Sequence, residues 1–239
     1  VTLLEGRKVS KSFGGVQALS EVDFTVEQGT IVGLIGPNGA GKTTLFNTVA
    51  GAFKPTGGRV IFDGKDITGL PANAICRKGM ARTFQVTRPF GAMTCLENVM
   101  VAAINRHPEK PRAFIENSAH EKLSLVGLAE MEGFEALQLN VIQKKRLEMA
   151  RALATEPKLL MLDEVLGGLN TQEISQAVEF IRSLRDKLGL TVLWIEHVMG
   201  AIMKAAERVI VLDQGRVLMA GTPAEVVNDP RVIQAYLGE

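Results

Sequence analysis

Gly36-Pro37-Asn38-Gly39-Ala40-Gly41-Lys42-Thr43-Thr44 is the stretch whose reading decides the fold. It fills every position of the phosphate-loop pattern G-x-x-x-x-G-K-[ST], and its flanks are those the pattern requires. Ile31-Val32-Gly33-Leu34-Ile35 before it is an apolar run that reads as a buried strand. Leu45 to Ala50 after it carries apolar residues at helical spacing and is closed by Gly51. Strand, glycine loop and helix in that order gather backbone N–H groups at the positive end of a helix dipole, where an anion is favoured. Glycine is needed because the loop takes left-handed backbone angles and lets phosphates approach the main chain closely. Lys42 is the candidate point charge for the outer phosphates, and the Thr43 hydroxyl is a candidate ligand for Mg²⁺.

The chain around this loop has 239 residues, which suits one large α/β domain or a domain carrying a smaller insert. Apolar residues make up 46%, enough for a sizeable core. Basic and acidic residues, 27 against 26, nearly cancel, so no global field points to nucleic acid or to an anionic membrane surface. Cys76 and Cys95 have no metal-ligand spacing and are expected to remain free thiols in a reducing cytosol. No signal peptide opens the sequence, and no apolar run approaches the roughly 20 residues that span a bilayer. A soluble polypeptide is expected, with any membrane role supplied through a partner.

Val1 to Gln28 reads as strands. Val16 to Leu19 and Val22 to Val26 alternate, between a Gly14-Gly15 turn and Gly29. Arg59 to Phe62 and Lys65 to Ile67 form a further strand pair joined through Asp63-Gly64, a strong hairpin signal. A mostly antiparallel β layer around the phosphate-loop strand is therefore expected from the first quarter. From Val86 to about Glu135 the pattern turns helical. Thr94-Cys95-Leu96-Glu97 fits a capping box that starts one helix, His107 to Arg112 reads as a loop, and Ala119 to Val126 as another helix. Val141 to Ala154 is helical up to Pro157. The remainder alternates: a continuous apolar strand at Lys158 to Leu162, a helix over Glu173 to Leu188, and a strand at Thr191 to Ile195. A hairpin follows around Asp213-Gln214-Gly215, and then a helix start at Thr222-Pro223-Ala224-Glu225.

Asp163 and Glu164 follow the strand at Leu159 to Leu162. Ligands of parallel sheets bind at the carboxyl ends of strands, so two adjacent carboxylates there have a use. Asp163 can hold the Mg²⁺ hydration shell and Glu164 can polarise an attacking water. Without the phosphate loop, the pair would be as readily a solvated acidic turn. His197, after the strand at Thr191 to Ile195, has the same placement; a lone histidine elsewhere would be read as structural. Gln85 ends Ala81-Arg82-Thr83-Phe84-Gln85, a short strand expected to run into the helical block, and its amide could ligate Mg²⁺ weakly or orient water. On composition alone it is a surface glutamine.

Over nearly its whole length this constellation resembles an ATP-binding cassette ATPase, the nucleotide-hydrolysing subunit of a transporter. Phe13 stands where that family places an aromatic against adenine. Gly36 to Thr44 matches Walker A, Gln85 the Q-loop, Leu159 to Asp163 Walker B, Glu164 the catalytic glutamate and His197 the switch histidine. Ala81 to Gln85, Trp194-Ile195-Glu196-His197 and the ending Ala235-Tyr236-Leu237-Gly238-Glu239 resemble the bacterial importers of branched-chain amino acids and related hydrophobic amino acids, amides or urea. The resemblance implies an α/β fold: a P-loop NTPase cassette with a mostly parallel core sheet, an N-terminal antiparallel β layer and a helical subdomain. As one ATPase domain over 1–239, its α/β core would be 1–85 with 155–239, and its helical subdomain about 86–154. ATP and Mg²⁺ are the implied cofactors. The implied partners are a second ATPase subunit, membrane permease subunits and, indirectly, an extracytoplasmic substrate-binding protein, with no nucleic acid. The implied location is the cytoplasmic face of the inner membrane, held through the permease. Phe84, Val86, Pro89, Phe90 and Met93 beside Gln85 are candidates for the wall that the permease meets, or equally for core.

The resemblance breaks at the family's Leu-Ser-Gly-Gly-Gln signature, where this chain has Leu139-Asn140-Val141-Ile142-Gln143. In the family that segment closes over ATP held by the opposite subunit. Val141 and Ile142 resist the positive φ that glycine permits. A helix entry accommodates them: Asn140 can cap, Gln143 can complete the cap, and Asn140 would replace serine in facing the partner's phosphate. Val165 also replaces the usual proline after Glu164, and Gly168-Leu169-Asn170 reads as a loosened D-loop. Two functions stay open: an active ATPase powering an importer, and a weakly or non-hydrolytic regulatory subunit of a heterodimer. DNA-repair and chromosome ATPases sharing the cassette need long heptads or nucleic-acid domains, which are not seen. Translation-associated versions would carry two cassettes in one chain.

Overall fold

A computed structural model describes residues 1–237. Gly238-Glu239, the close of the family-like ending, lies outside the described residues. The chain forms two compact units, one of Val1–Ile75 with the chain from Met161 onward, the other of Cys76–Leu160.

The first unit opens with strands β1 (Thr2–Phe13), β2 (Val16–Glu27) and β3 (Ile31–Ile35), then helix α1 (Lys42–Val49), strands β4 (Gly57–Phe62) and β5 (Lys65–Asp66), and the start of helix α2 (Ala72–Arg77). The second unit holds β6 (Met80–Arg82), α3 (Cys95–Arg106), α4 (Arg112–Leu125) and α5 (Val141–Leu153). Strand β7 (Leu159–Asp163) leads back to the first unit, which is completed by α6 (Thr171–Leu188), β8 (Thr191–Ile195), α7 (Met199–Ala205), β9 (Arg208–Asp213), β10 (Arg216–Gly221), α8 (Pro223–Asn228) and α9 (Pro230–Leu237).

Two sheets make the frame of the first unit. The N-terminal sheet has the order β2-β1-β4-β5, with neighbouring strands antiparallel throughout. The two alternating runs expected at 16–26 are one strand with a break: Glu21 takes φ 47° and donates its N–H to Ser10 Oγ at 2.9 Å. The second sheet runs β10-β9-β3-β8-β7, and β3 pairs in parallel with both β8 and β9. Strands β3, β7 and β8 are buried along their full length, as continuous apolar runs covered on both faces must be. The turn between β9 and β10 bridges the sheets. Gln214 and Gly215 take φ 44° and 76°, and the Gly215 carbonyl accepts the Ser20 N–H at 2.8 Å.

In the second unit, α3, α4 and α5 pack through Cys95, Val99 and Ala103, through Ala119 and Leu123, and through Leu147 and Ala150, all fully buried. Helix α3 starts where expected: Thr94 Oγ1 accepts the Glu97 N–H at 3.1 Å, and Glu97 Oε2 accepts the Thr94 N–H at 2.8 Å. Helix α4 begins at Arg112 rather than Ala119, because Pro111 supplies an extended lead-in and its carbonyl accepts the Phe114 N–H at 3.0 Å. The strand expected over 81–85 stops at Arg82, because the Phe84 N–H goes to the Glu148 carboxylate at 2.6 Å and leaves the ladder. Cys76 and Cys95 are both free thiols. Among the described residues no helix is long and apolar enough to cross a membrane.

Candidate functional site

The phosphate loop leaves β3 at Gly36 (φ 148°), and a side chain there would run into the Leu212 carbonyl oxygen. Its N–H donates to Tyr236 Oη at 2.7 Å, and its carbonyl accepts Lys42 Nζ at 2.6 Å. Lys42 Nζ also donates to the Pro37 carbonyl at 3.0 Å, so the loop folds over its own ammonium. Gly39 (φ 79°) would have open space around a Cβ and is needed only for its backbone angle. At Gly41 (φ 99°) a Cβ would lie 2.7 Å from the Ala18 carbonyl oxygen, so angle and packing both demand glycine. Ala40 donates its N–H to the Pro37 carbonyl at 3.2 Å and accepts the Gly215 N–H at 3.0 Å, which braces the loop on the β9–β10 turn. Gly41 precedes α1 with no side-chain cap, so the first-turn N–H groups of Lys42, Thr43 and Thr44 have no capping side chain, and Asn38 and Thr43 beside them are exposed. Burial pushes the Lys42 ammonium below its ordinary value, and the Glu164 carboxylate opposes that shift.

Asp163 ends β7 buried, only 5% exposed. Glu164 follows in the left-handed region at φ 49°, a conformation a non-glycine residue holds only when its surroundings over-determine it. Its N–H donates to the Ile195 carbonyl at 3.0 Å, and its Oε1 lies 2.7 Å from His197 Nε2. A carboxylate on an imidazole can take a proton from water while the ring steadies it. Four expected residues are thus gathered in one unit: Lys42, Asp163, Glu164 and His197.

Phe13 belongs to the same unit and is 45% exposed. It meets Phe53 edge to face at 5.2 Å, with Lys11 Nζ 4.8 Å from its ring centre. A ring held in that way offers an aromatic surface at a fixed angle.

Gln85, Asn140 and Gln143 belong to the second unit. Gln85 is exposed on the bend after β6, with Phe84 and Val86 on either side also exposed. Pro89 and Met93 are half-buried and Phe90 is exposed, its ring 4.8 Å from the Arg151 guanidinium. Asn140 caps α5 in the form its sequence suggests: Oδ1 accepts the Gln143 N–H at 2.9 Å and Gln143 Oε1 accepts the Asn140 N–H at 2.9 Å. Val141 stands 67% exposed on the first turn.

Three residues carry the architecture without having been singled out. Glu196, 3% exposed, accepts the Leu166 N–H on Oε1 at 2.7 Å and the His197 N–H on Oε2 at 3.2 Å. Burial pushes its carboxyl up from the ordinary value, and these N–H bonds pull against that. Tyr236 reaches Gly36 across the chain, and no local pattern announces such a contact. Asn98, fully buried, accepts the Phe90 N–H at 2.8 Å and donates to the carbonyls of Phe90, Met93 and Thr94. A polar residue on the apolar face of α3 was the available signal for it.

Residues 19–167 match the family described as ABC transporter, and residues 216–239 match that of the branched-chain amino acid ATP-binding cassette transporters. The high-affinity branched-chain amino acid transport ATP-binding protein BraF of Pseudomonas aeruginosa is 41% identical, over 99% of this chain and 98% of its own length. LivG of Escherichia coli, with the same description, is 40% identical over 99% and 98%. Among solved structures, a nucleotide-free ATP-binding cassette from an ABC transporter superposes with a TM-score of 0.89 at 30% identity, and an ABC transporter cassette in its ADP conformation with 0.88 at 30%, each covering 100% of both chains.

Proposed function

The chain belongs to the ABC transporter family, and on that premise we propose that it binds and hydrolyses ATP to power an importer of branched-chain amino acids or of a related hydrophobic amino acid, amide or urea. The Glu164–His197 pair, beside Lys42 at the carboxyl ends of β7 and β8, carries this reading. The names of the relatives support the class of cargo.

In this mechanism the backbone N–H groups of Gly39 and of Gly41 to Thr44 receive the phosphates, and Lys42 turns from the Gly36 and Pro37 carbonyls toward the outer ones. Phe13 stacks on the adenine. Glu164 accepts the proton of the attacking water, and His197 holds both that carboxylate and the γ-phosphate. Magnesium, when bound, neutralises charge on the phosphate oxygens. The exposed Thr43 residue and the buried Asp163 carboxylate, both in the first unit, are an oxygen donor set that would fit it. Asn140 and Gln143 face the nucleotide of a second ATPase subunit. Permease subunits hold the pair at the cytoplasmic face of the inner membrane, meeting the exposed Phe84, Val86 and Phe90, and an extracytoplasmic substrate-binding protein delivers the cargo.

The purified chain should hydrolyse ATP with Mg²⁺. Glu164→Gln should lower turnover about a hundredfold and accumulate an ATP-bound dimer on size-exclusion chromatography. Wild-type turnover equal to that of the variant would overturn the assignment.

A second reading has its own observation, the self-capped and β-branched start of α5. On it, the chain is the regulatory member of a heterodimer. Its altered signature would leave the facing ATP unhydrolysed, while its own site would answer to the partner's signature.

A further inference from the structure

Glu196 is a buried carboxylate that the proposed chemistry leaves without a task. Its two oxygens are divided between two loops. Oε1 takes the N–H of Leu166, two residues after the Glu164 backbone, and Oε2 takes the N–H of His197 itself. The loop after β7 is therefore stitched to the end of β8 twice, once through the Glu164 N–H on the Ile195 carbonyl and once through the Glu196 side chain. Between those stitches sits Glu164 at φ 49°, a strained angle that needs such support. Outside them, the Glu164 and His197 side chains meet at 2.7 Å.

We propose that Glu196 is a positioning residue for hydrolysis: one buried carboxylate sets the separation of Glu164 and His197 by holding the backbone that carries each. It touches neither nucleotide nor water and acts only through that pair. Any displacement of the loop from Leu166 to Asn170 is then felt at the His197 backbone, because both hang on the same side chain. The inference rests on the proposed ATPase reading, since the pair it positions is the pair assigned there.

The chemistry makes the test selective. A glutamine keeps the size of the side chain but offers one accepting oxygen. Whichever way its amide turns, an NH₂ group faces either the Leu166 or the His197 N–H, and a buried donor loses its acceptor. Glu196→Gln should lower kcat about tenfold to a hundredfold while KM for ATP and the affinity for ADP stay within about twofold, because the phosphate loop is untouched. The decisive measurement is a cycle with His197→Ala. If Glu196 acts through the pair, adding Glu196→Gln to His197→Ala should cost less than about a further twofold. A merely structural role would multiply the two losses. Should Glu196→Gln fail to fold, Glu196→Asp, which keeps both oxygens but draws them back, serves in the same cycle. Wild-type kcat in the variant, or multiplicative losses, overturns the inference. A wild-type chain with no turnover would instead overturn the ATPase reading.

Discussion

Two helix starts in this molecule are built in opposite ways. Helix α1 begins after Gly41 at φ 99°, with no side chain bonded to its first turn. Helix α5 begins after Asn140, in extended backbone, and closes its first turn with a reciprocal pair of bonds to Gln143. The same orphan N–H groups exist at both ends, because every helix leaves its first four donors unpaired. At α1 they are kept open to an anion. At α5 one of them is taken by the chain's own carboxamide, and β-branched residues fill the positions where the family has glycine. A helix dipole is thus common to both, and the residue at the cap decides whether it serves a ligand or the fold.

Breaking the open end should have the largest effect. Lys42→Ala removes the charged donor from a loop that otherwise keeps its backbone, so nucleotide affinity measured by calorimetry should fall about a hundredfold. Unchanged affinity would mean that α1 is not the anion-binding end. Opening the closed end should matter less. Ile142→Gly restores backbone freedom at the altered signature and should raise homodimer turnover about tenfold if that segment limits hydrolysis. An unchanged rate would remove the reason for the regulatory reading. The smallest effect concerns the cap alone. Asn140→Ala should cost about 1 kcal/mol in denaturant unfolding and leave the Lys42-dependent affinity for ADP as it was. A loss of ADP affinity would show that the two helix starts are not independent within one chain.

Features written in local sequence were legible. The turn at Asp63-Gly64, the boxes at Thr94, Asn140 and Thr222, and the buried runs of β3, β7 and β8 each have a cause within a few residues, and each stands where expected. The start of α6 was equally local but was obscured. Asn170 accepts the Gln172 and Glu173 N–H groups, both at 3.0 Å, so the segment read as a loosened loop already contains a helix cap. What needed the structure is set by distance along the chain. The Glu196 side chain could be seen to precede a histidine, but not to be buried with a loop amide on each oxygen. The same holds for Tyr236, whose hydroxyl oxygen accepts the N–H of Gly36, two hundred residues earlier in the chain.

Trp194 is the chain's single tryptophan, and it is fully buried in β8 ahead of Glu196 and His197. The chain therefore carries one tryptophan fluorophore, buried in the strand that leads to His197 of the Glu164–His197 pair. Its emission is thus an expected built-in reporter of rearrangement at the Glu196 and His197 backbone, readable in unlabelled protein during nucleotide titration.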